Sequence, residues 1–198
     1  NIFGDGKWSF RNCESISGFL ENSVDFNNGG NHIGFRANNV KSISNMFSEC
    51  KNLNVRINFY LPNLITAEGV FQDCSKLNSL IKIRESTKLE NLTDVLKNAE
   101  KFNSNFYVEH TSNLKYIAGM LEGTNYDDNG NYLQRWDVRN LVFNSDLYSK
   151  NSFILPRNFK SDLSVWVKAN PKLENFLFLE SKNMGGLETD GSWGGERR

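Results

Sequence analysis

The chain has 198 residues, with 23 basic and 23 acidic side chains, so its net charge is zero. Zero net charge argues against a general binder of nucleic acid or anionic membranes, and no apolar run of about 18 residues predicts a transmembrane helix. Aromatic residues make up 13% of the chain, which favours a folded protein over a disordered one, and 29 Asn residues predict many turns.

The N-terminal part begins at Asn1, without an initiator methionine or a visible signal peptide, so we expect a processed product or a fragment. Residues 1–39 are interpreted as a capping repeat that contains an insertion. The insertion carries the polar turn of residues 27–32, which we expect to project from the domain. Its His32 is interpreted as an ordinary surface residue, with a contact role as the alternative.

A repeat dominates the sequence. Phe10-Arg-Asn-Cys13-Glu-Ser-Ile16 has the form F-x-x-C-x-x-(I/L), and so do the stretches around Cys50 and Cys74. Looser copies continue toward the C-terminus. They begin at Leu96, Leu121, Tyr148 and Trp166. Steps of 24 to 27 residues separate most copies, while the first step of 37 includes the insertion. A fixed period of this length is typical of stacked repeat proteins.

Each repeat is predicted to contain a short helix and a short strand. Apolar residues precede the lead residue of each repeat by four and by one, as Ile43 and Met46 precede Phe47, and this spacing predicts a helix of about two turns. The alternation Val55-x-Ile57-x-Phe59 then predicts a strand, which recurs in the next two repeats. Equivalent strands should pair in parallel along the stack.

The three cysteines form no disulfide framework or zinc pattern, because their number is odd and their spacings are 37 and 24. A thiol is small and behaves as an apolar group. Cys13, Cys50 and Cys74 are therefore interpreted as inward core residues, in a position that Ala99 and Thr124 fill in later repeats.

The stretch Val40-Lys-Ser-Ile43-Ser-Asn-Met46-Phe47-Ser-Glu-Cys50-Lys-Asn-Leu53 resembles the BspA-like leucine-rich repeats of bacterial and mycoplasma surface proteins, which read V-x-x-M-x-x-M-F-x-x-C-x-x-L. Trp136-Asp137-Val138-Arg139-Asn140-Leu141 is similar to the lead-in W-D-x-S-N-V of that family. The match is close over residues 40–80 and fair over 88–122, and the Cys is lost after the third copy. The resemblance implies a helix-plus-strand solenoid used for adhesion or recognition, without catalytic residues, and such repeats also occur in phage proteins.

The outward residues of the strands are the first candidate site, because repeat proteins often bind on such extended faces. They are Arg56, Asn58 and Tyr60, then Leu80, Lys82 and Arg84, then Asn105, Tyr107 and Glu109, with Arg135, Asp137 and Arg139 as an extension. Tyr and Arg favour interfaces. The alternative is a solvated surface of cross-strand pairs, such as an ion pair of Arg84 with Glu109.

Two further features are candidates for a site or an interface. Asp127, Asp128 and Asn129 could offer oxygen ligands to calcium, but Gly130 comes too early for an EF-hand loop, and Asn129-Gly130 more simply predicts a tight turn. Trp8 and Trp193 lie near opposite ends and are predicted to cap the repeats or to dock onto neighbouring chains.

The sequence therefore predicts an α/β solenoid, a right-handed leucine-rich-repeat-like coil of about six helix-plus-strand repeats. Its repeats occupy residues 40–160, a C-terminal cap residues 161–180, and a Gly-rich extension or linker residues 181–198. No enzyme motif, cofactor or metal site is predicted. We expect a non-enzymatic adhesion module on a cell surface or outside the cell. It is expected to bind a protein or a glycan, and neither to bind nucleic acid nor to insert in a membrane. The alternative is a structural subunit of a virion, tail fibre or surface layer, assembled as a homo-oligomer or larger array through its termini.

Overall fold

A computed structural model describes residues 9–142 and 153–179, and all structural statements below refer to these ranges. They contain six strands: β1 (Ile33–Arg36), β2 (Ile57–Tyr60), β3 (Ile81–Arg84), β4 (Phe106–Val108), β5 (Phe153–Leu155) and β6 (Leu177–Leu179). One α-helix, α1 (Ser164–Ala169), and 3-10 helices at Asn28–Gly30, Leu133–Arg135 and Pro171–Asn175 complete the described elements. None of these helices is long and apolar enough to cross a membrane.

Strands β1 to β4 form one parallel sheet in chain order. Ile57 of β2 is the register partner of Ile33 in β1 and of Ile81 in β3, which in turn pairs with Phe106. The predicted parallel ladder is confirmed over these four strands. It also extends one strand further toward the N-terminus than predicted, because β1 follows the insertion in the first repeat.

The alternation of side chains explains why these segments are strands. Ile57 and Phe59 of β2 are buried, whereas Asn58 and Tyr60 between them are half-buried and point away from the core. Strand β3 repeats this pattern with Ile81 and Ile83 inward. One buried and one partly solvated face is the arrangement that period-two patterning specifies.

The prediction of a helix in each repeat is wrong for four copies, although the copy at Trp166 does contain a helix, α1. The segments around Phe47, Phe71, Leu96 and Leu121 are successive turns. Alternate amide groups in these segments donate to carbonyl groups of the following repeat: Asn45 to Glu68, Phe47 to Val70, and Glu49 to Gln72, at 2.8–3.0 Å. The amide groups between them close turns inside the repeat, as Met46 does onto the Ile43 carbonyl.

Positive φ angles explain why helices do not form there. Two positions four residues apart have φ of 53–70° in each repeat: Gly18 and Asn22, Asn45 and Glu49, Gly69 and Asp73, Asp94 and Asn98, Gly119 and Gly123. An L-residue in a right-handed helix cannot adopt such angles, and Gly, Asn and Asp tolerate them best. The chain is therefore a sheet-rich repeat protein with few helices.

Stacked rings and small side chains fill the interior between repeats. Phe47 and Phe71 are fully buried and nearly parallel, with ring centroids 5.8 Å apart. Cys50 and Cys74 are also fully buried, and each thiol donates to a backbone carbonyl of an earlier repeat at 3.1 Å. Burial raises the pKa of the Cys50 thiol to about 11 and that of Cys74 further. The prediction of core cysteines is confirmed for these two, while Cys13 is half-buried, and all three are free.

A ladder of asparagine side chains joins the repeats just before the strands. The Oδ1 atoms of Asn27, Asn54, Asn78 and Asn103 accept from the backbone amides of Asn54, Asn78, Asn103 and Asp127 respectively, at 2.8–3.0 Å. Each side chain therefore satisfies an amide of the following repeat that the sheet leaves unpaired. Part of the high Asn content thus serves contacts between repeats as well as turns.

The regular sheet ends at β4. Strand β5 pairs in parallel with β6 and forms a separate two-stranded sheet. Beside it, the indole of Trp166 in α1 is buried between Trp136 and Phe153, and its Nε1 donates to the Leu133 carbonyl at 2.7 Å. Ala169, three residues after the lead residue Trp166 and so at the position of the core cysteines, is exposed, and this copy does not place that position inward. The predicted extension of residues 181–198 lies outside the described residues.

Candidate binding face

The predicted outward residues do share one surface, which we call the strand face. It consists of three rows that cross β2, β3 and β4: Arg56, Leu80 and Asn105, then Asn58, Lys82 and Tyr107, then Tyr60, Arg84 and Glu109. All nine residues are exposed or half-buried. The sheet register brings each row together because parallel strands place equivalent residues about 4.8 Å apart.

The third row is a network of cross-strand contacts. The Arg84 guanidinium lies 5.1 Å from the centroid of the Tyr60 ring and donates to the Tyr60 hydroxyl at 3.0 Å. Its Nε lies 3.7 Å from the Glu109 carboxylate, which confirms the predicted ion pair. A hydrogen bond from Asn58 to the hydroxyl is the main reason why the pKa of Tyr60 is lowered.

Two residues that the sequence did not indicate, Arg36 in this row and Glu85 directly after it, extend the network. Both terminal nitrogens of Arg36 in β1 donate hydrogen bonds to the Glu85 carboxylate, at 2.6 and 2.9 Å. This hydrogen-bonded pair lowers the pKa of Glu85 and raises that of Arg36. The two residues are 49 apart in sequence, so only the register of the sheet reveals that they meet.

The first and second rows differ from the third. Among the described residues, no carboxylate forms an ion pair with Arg56 or Lys82. Tyr107 is 40% exposed, which is unusual for a large ring on this protein. The Oδ1 atom of Asn58 is buried and has no hydrogen-bond donor among the described residues. These side chains are the uncommitted part of the strand face.

Two grooves on the strand face contain its uncommitted side chains. We call the first the cationic groove: it is lined by His32, Arg56, Ile57, Asn58, Leu80 and Lys82 and has a volume of about 290 Å³. The second, of about 280 Å³, lies beside β4 and includes Tyr107, Tyr132, Arg135 and Trp136. Tyr132 reaches it because its hydroxyl accepts from Asn105 at 3.0 Å, and the Arg135 guanidinium lies 5.7 Å from its ring centroid. Tyr132 was not predicted for this surface, because it lies outside the repeating strands.

The predicted extension of the ladder through Arg135, Asp137 and Arg139 is wrong as a strand. Arg135 ends a 3-10 helix, and the backbone amide of Asp137 donates to the hydroxyl of Thr111, beyond the end of β4. Arg139 is bound to the carboxylate of Asp137 at 2.7 and 2.9 Å, which lowers the pKa of that carboxyl. Of these three residues, only Arg135 lines a groove of the strand face.

The carboxylates of the weak calcium candidate, Asp127 and Asp128, accept hydrogen bonds from groups of the protein itself. Asp128 is buried, and its carboxylate accepts from the Tyr126 hydroxyl at 2.9 Å and from the backbone amides of Tyr132 and Leu133. The carboxylate of Asp127 accepts from the Asn129 amide and from Lys160. A turn from Asp128 to Asn131 closes with a 2.8 Å hydrogen bond, which agrees with the prediction of a tight turn.

The remaining candidates are outside the strand face or outside the described residues. Trp8 and Trp193 lie outside the described residues, so their predicted role in capping or docking stays a prediction. His32 is exposed at the edge of the cationic groove. Within the described ranges, no group of three or more His, Cys, Asp or Glu side chains is arranged to hold a metal ion.

Fold and face together define a sheet-rich repeat protein with an extended, partly uncommitted polar surface. A model of the family described as Mycoplasma protein of unknown function, DUF285, matches residues 5–82 and 58–166, and the chain belongs to this family. The two matched segments overlap, as expected when one repeat can be aligned in several registers. Comparison with curated proteins finds no match, and comparison with solved structures finds none either.

Proposed function

We propose that this protein is a non-enzymatic binding or adhesion module of the BspA-like kind, a right-handed solenoid presented outside the cell or on its surface. Its ligand is a protein or a glycan that lies across the strand face. The observation that carries this proposal is the set of uncommitted side chains, Arg56, Lys82 and Tyr107, in two adjacent rows of a regular sheet.

The third row of the strand face pairs its charges across the strands, whereas the two rows beside it do not. Arg36, Arg84 and Arg139 each contact a carboxylate. Arg56 and Lys82 lie beside these pairs on the same sheet, and neither forms an ion pair with a carboxylate of the described residues. Exposed Tyr and unpaired cations on one surface favour an interface.

The carboxylates on the strand face support a role in binding rather than catalysis. Glu85 is engaged by Arg36, and Glu109 is engaged by Arg84 and by the backbone amide of Glu85 at 2.9 Å. A general acid or base must be available to the reacting group. Both carboxylates instead hold the sheet side chains in place.

The proposal is tested with an immobilised panel of glycans and extracellular-matrix proteins, probed with the full chain. We expect at least one panel member to bind, and Tyr107→Ser to weaken that binding at least tenfold. Ile65→Ser is the matched control, because Ile65 is 39% exposed but lies outside the strands. Binding that survives Tyr107→Ser, or that Ile65→Ser weakens equally, contradicts a role for the strand face.

The alternative proposal, an assembly subunit of a virion, tail fibre or surface layer, is tested by light scattering on the full chain and on a chain truncated after Ser181. A binding module is expected to be a monomer in both forms. An oligomer that the truncation converts to a monomer favours assembly through the C-terminal segment.

A further inference from the structure

We infer that the cationic groove is a subsite for a sugar acid, that is, for a carboxylate-bearing sugar residue of a glycan. This inference rests on the proposed function and narrows its ligand class. The groove lies where β2 and β3 begin, and three properties of its lining point to the same chemistry.

The first property is unpaired positive charge. Arg56 precedes β2 and Lys82 lies in β3, and both line the groove without a carboxylate partner among the described residues. A guanidinium can hold a carboxylate by two parallel hydrogen bonds, and an ammonium adds a point charge. The ligand group that these two side chains fit is therefore an anion such as a carboxylate.

The second property is an unpaired acceptor on Asn58, which lines the same groove. Asn58 donates its Nδ2 to the Tyr60 hydroxyl, while its buried Oδ1 receives no hydrogen bond from a described residue. A buried acceptor without a donor destabilises the protein until a donor arrives. A carboxylate only accepts hydrogen bonds, so the ligand must also carry a donor such as a hydroxyl group.

The third property is an apolar floor of limited size. Ile57 and the half-buried Leu80 line the same groove, so a ligand with a C–H surface can pack against them. The volume of about 290 Å³ is at the lower end of the roughly 300–1,000 Å³ that is usual for ligand pockets. A single sugar ring that carries a carboxylate and hydroxyl groups combines all three features. An acidic peptide offers carboxylates and backbone N–H donors, but no sugar ring whose C–H groups can pack against Ile57 and Leu80.

The inference is tested by titration calorimetry of the full chain with three probes: trigalacturonic acid, the neutral trisaccharide maltotriose, and hexaglutamate. We expect trigalacturonic acid to bind at least tenfold more tightly than either of the others. Lys82→Gln and Arg56→Gln should each weaken it at least tenfold, and Asn58→Leu at least fivefold. Lys172→Gln, in the 3-10 helix Pro171–Asn175, should leave the affinity unchanged, and melting curves verify that each variant is folded.

Equal binding of maltotriose and trigalacturonic acid overturns the inference, and so does an affinity that none of the groove variants changes. Hexaglutamate binding as tightly as the uronic acid also overturns it, in favour of an acidic peptide. Failure of the inference is distinguishable from failure of the proposed function. If Tyr107→Ser still abolishes binding to a panel member while trigalacturonic acid does not bind, the strand face is a binding surface and the sugar acid is the wrong ligand.

Discussion

Truncation of one stacked ring in the core tests whether the repeats are held together as described. Phe71 is fully buried, and its ring stacks on Phe47. Removal of a buried aromatic ring costs about 3–5 kcal/mol, so Phe71→Ala should lose that much free energy of unfolding. For a chain of this length, each kcal/mol lowers the melting temperature by about 2–4 °C, so the expected fall is about 6–20 °C.

Two variants serve as references for this measurement. Leu96 and Leu121 occupy the equivalent position in later repeats, so Phe71→Leu should be tolerated at a cost of about 1.5 kcal/mol. Ile65 is 39% exposed, so Ile65→Ala should change stability by no more than about 0.5 kcal/mol. Urea denaturation followed by circular dichroism measures all three. A cost for Phe71→Ala no larger than for Ile65→Ala would refute the stacked core.

The other predictions concern thiols, turns and one carboxyl. With a thiol reagent at pH 8, Cys13 should react at once and the other two cysteines only after denaturation, because they are fully buried and their thiol pKa values are raised; three equal rates would contradict this. Gly123→Ala should destabilise more than Gly30→Ala, since both have positive φ but a Cβ at Gly123 would lie 2.6 Å from the Asn98 side chain and 3.3 Å from its Cα, while Gly30 has open space. Burial raises the pKa of Asp94, so the folded state binds this proton more tightly and stability falls as pH rises through the folded pKa. Asp94→Asn should therefore raise the urea midpoint at pH 7, and the gain should vanish below the ordinary Asp pKa of about 3.9; a gain that persists at acid pH would show another cause.

The strand part of the fold could be read from the sequence because its signal is local. Ile57 and Phe59 alternate with polar residues, and the same columns recur one repeat later at Ile81 and Ile83. The repeat period then fixes which strands are neighbours. The residues of the strand face follow directly from that register.

The helices were wrongly predicted because apolar spacing alone does not separate a helix from consecutive turns. Ile43, Met46 and Phe47 face the core in either case. The deciding signal is at the position of Asn45, which is Gly, Asn or Asp with a positive φ in each of the five repeats. Because these residue types tolerate positive φ best, their recurrence at this position predicts turns rather than a helix.

Features of the site that depend on long-range geometry could not be predicted. The Arg36–Glu85 pair joins residues two repeats apart, and Tyr132 reaches β4 from an irregular insertion. Arg36 occupies the column of Tyr60 and Arg84, but its partner Glu85 occupies a different column, and Tyr132 lies outside the strands altogether. The unpaired Oδ1 of Asn58 is likewise a property of packing, since it depends on which neighbours the side chain meets.

The central claim is that the strand face is where this protein meets its ligand. Hydrogen–deuterium exchange of the full chain, with and without the panel member that binds, tests it most directly. We predict slower exchange in residues 56–60, 80–84 and 105–109 when the ligand is present. Protection confined to the turns around Phe47 and Phe71 or to α1, with the strands unchanged, would contradict the claim.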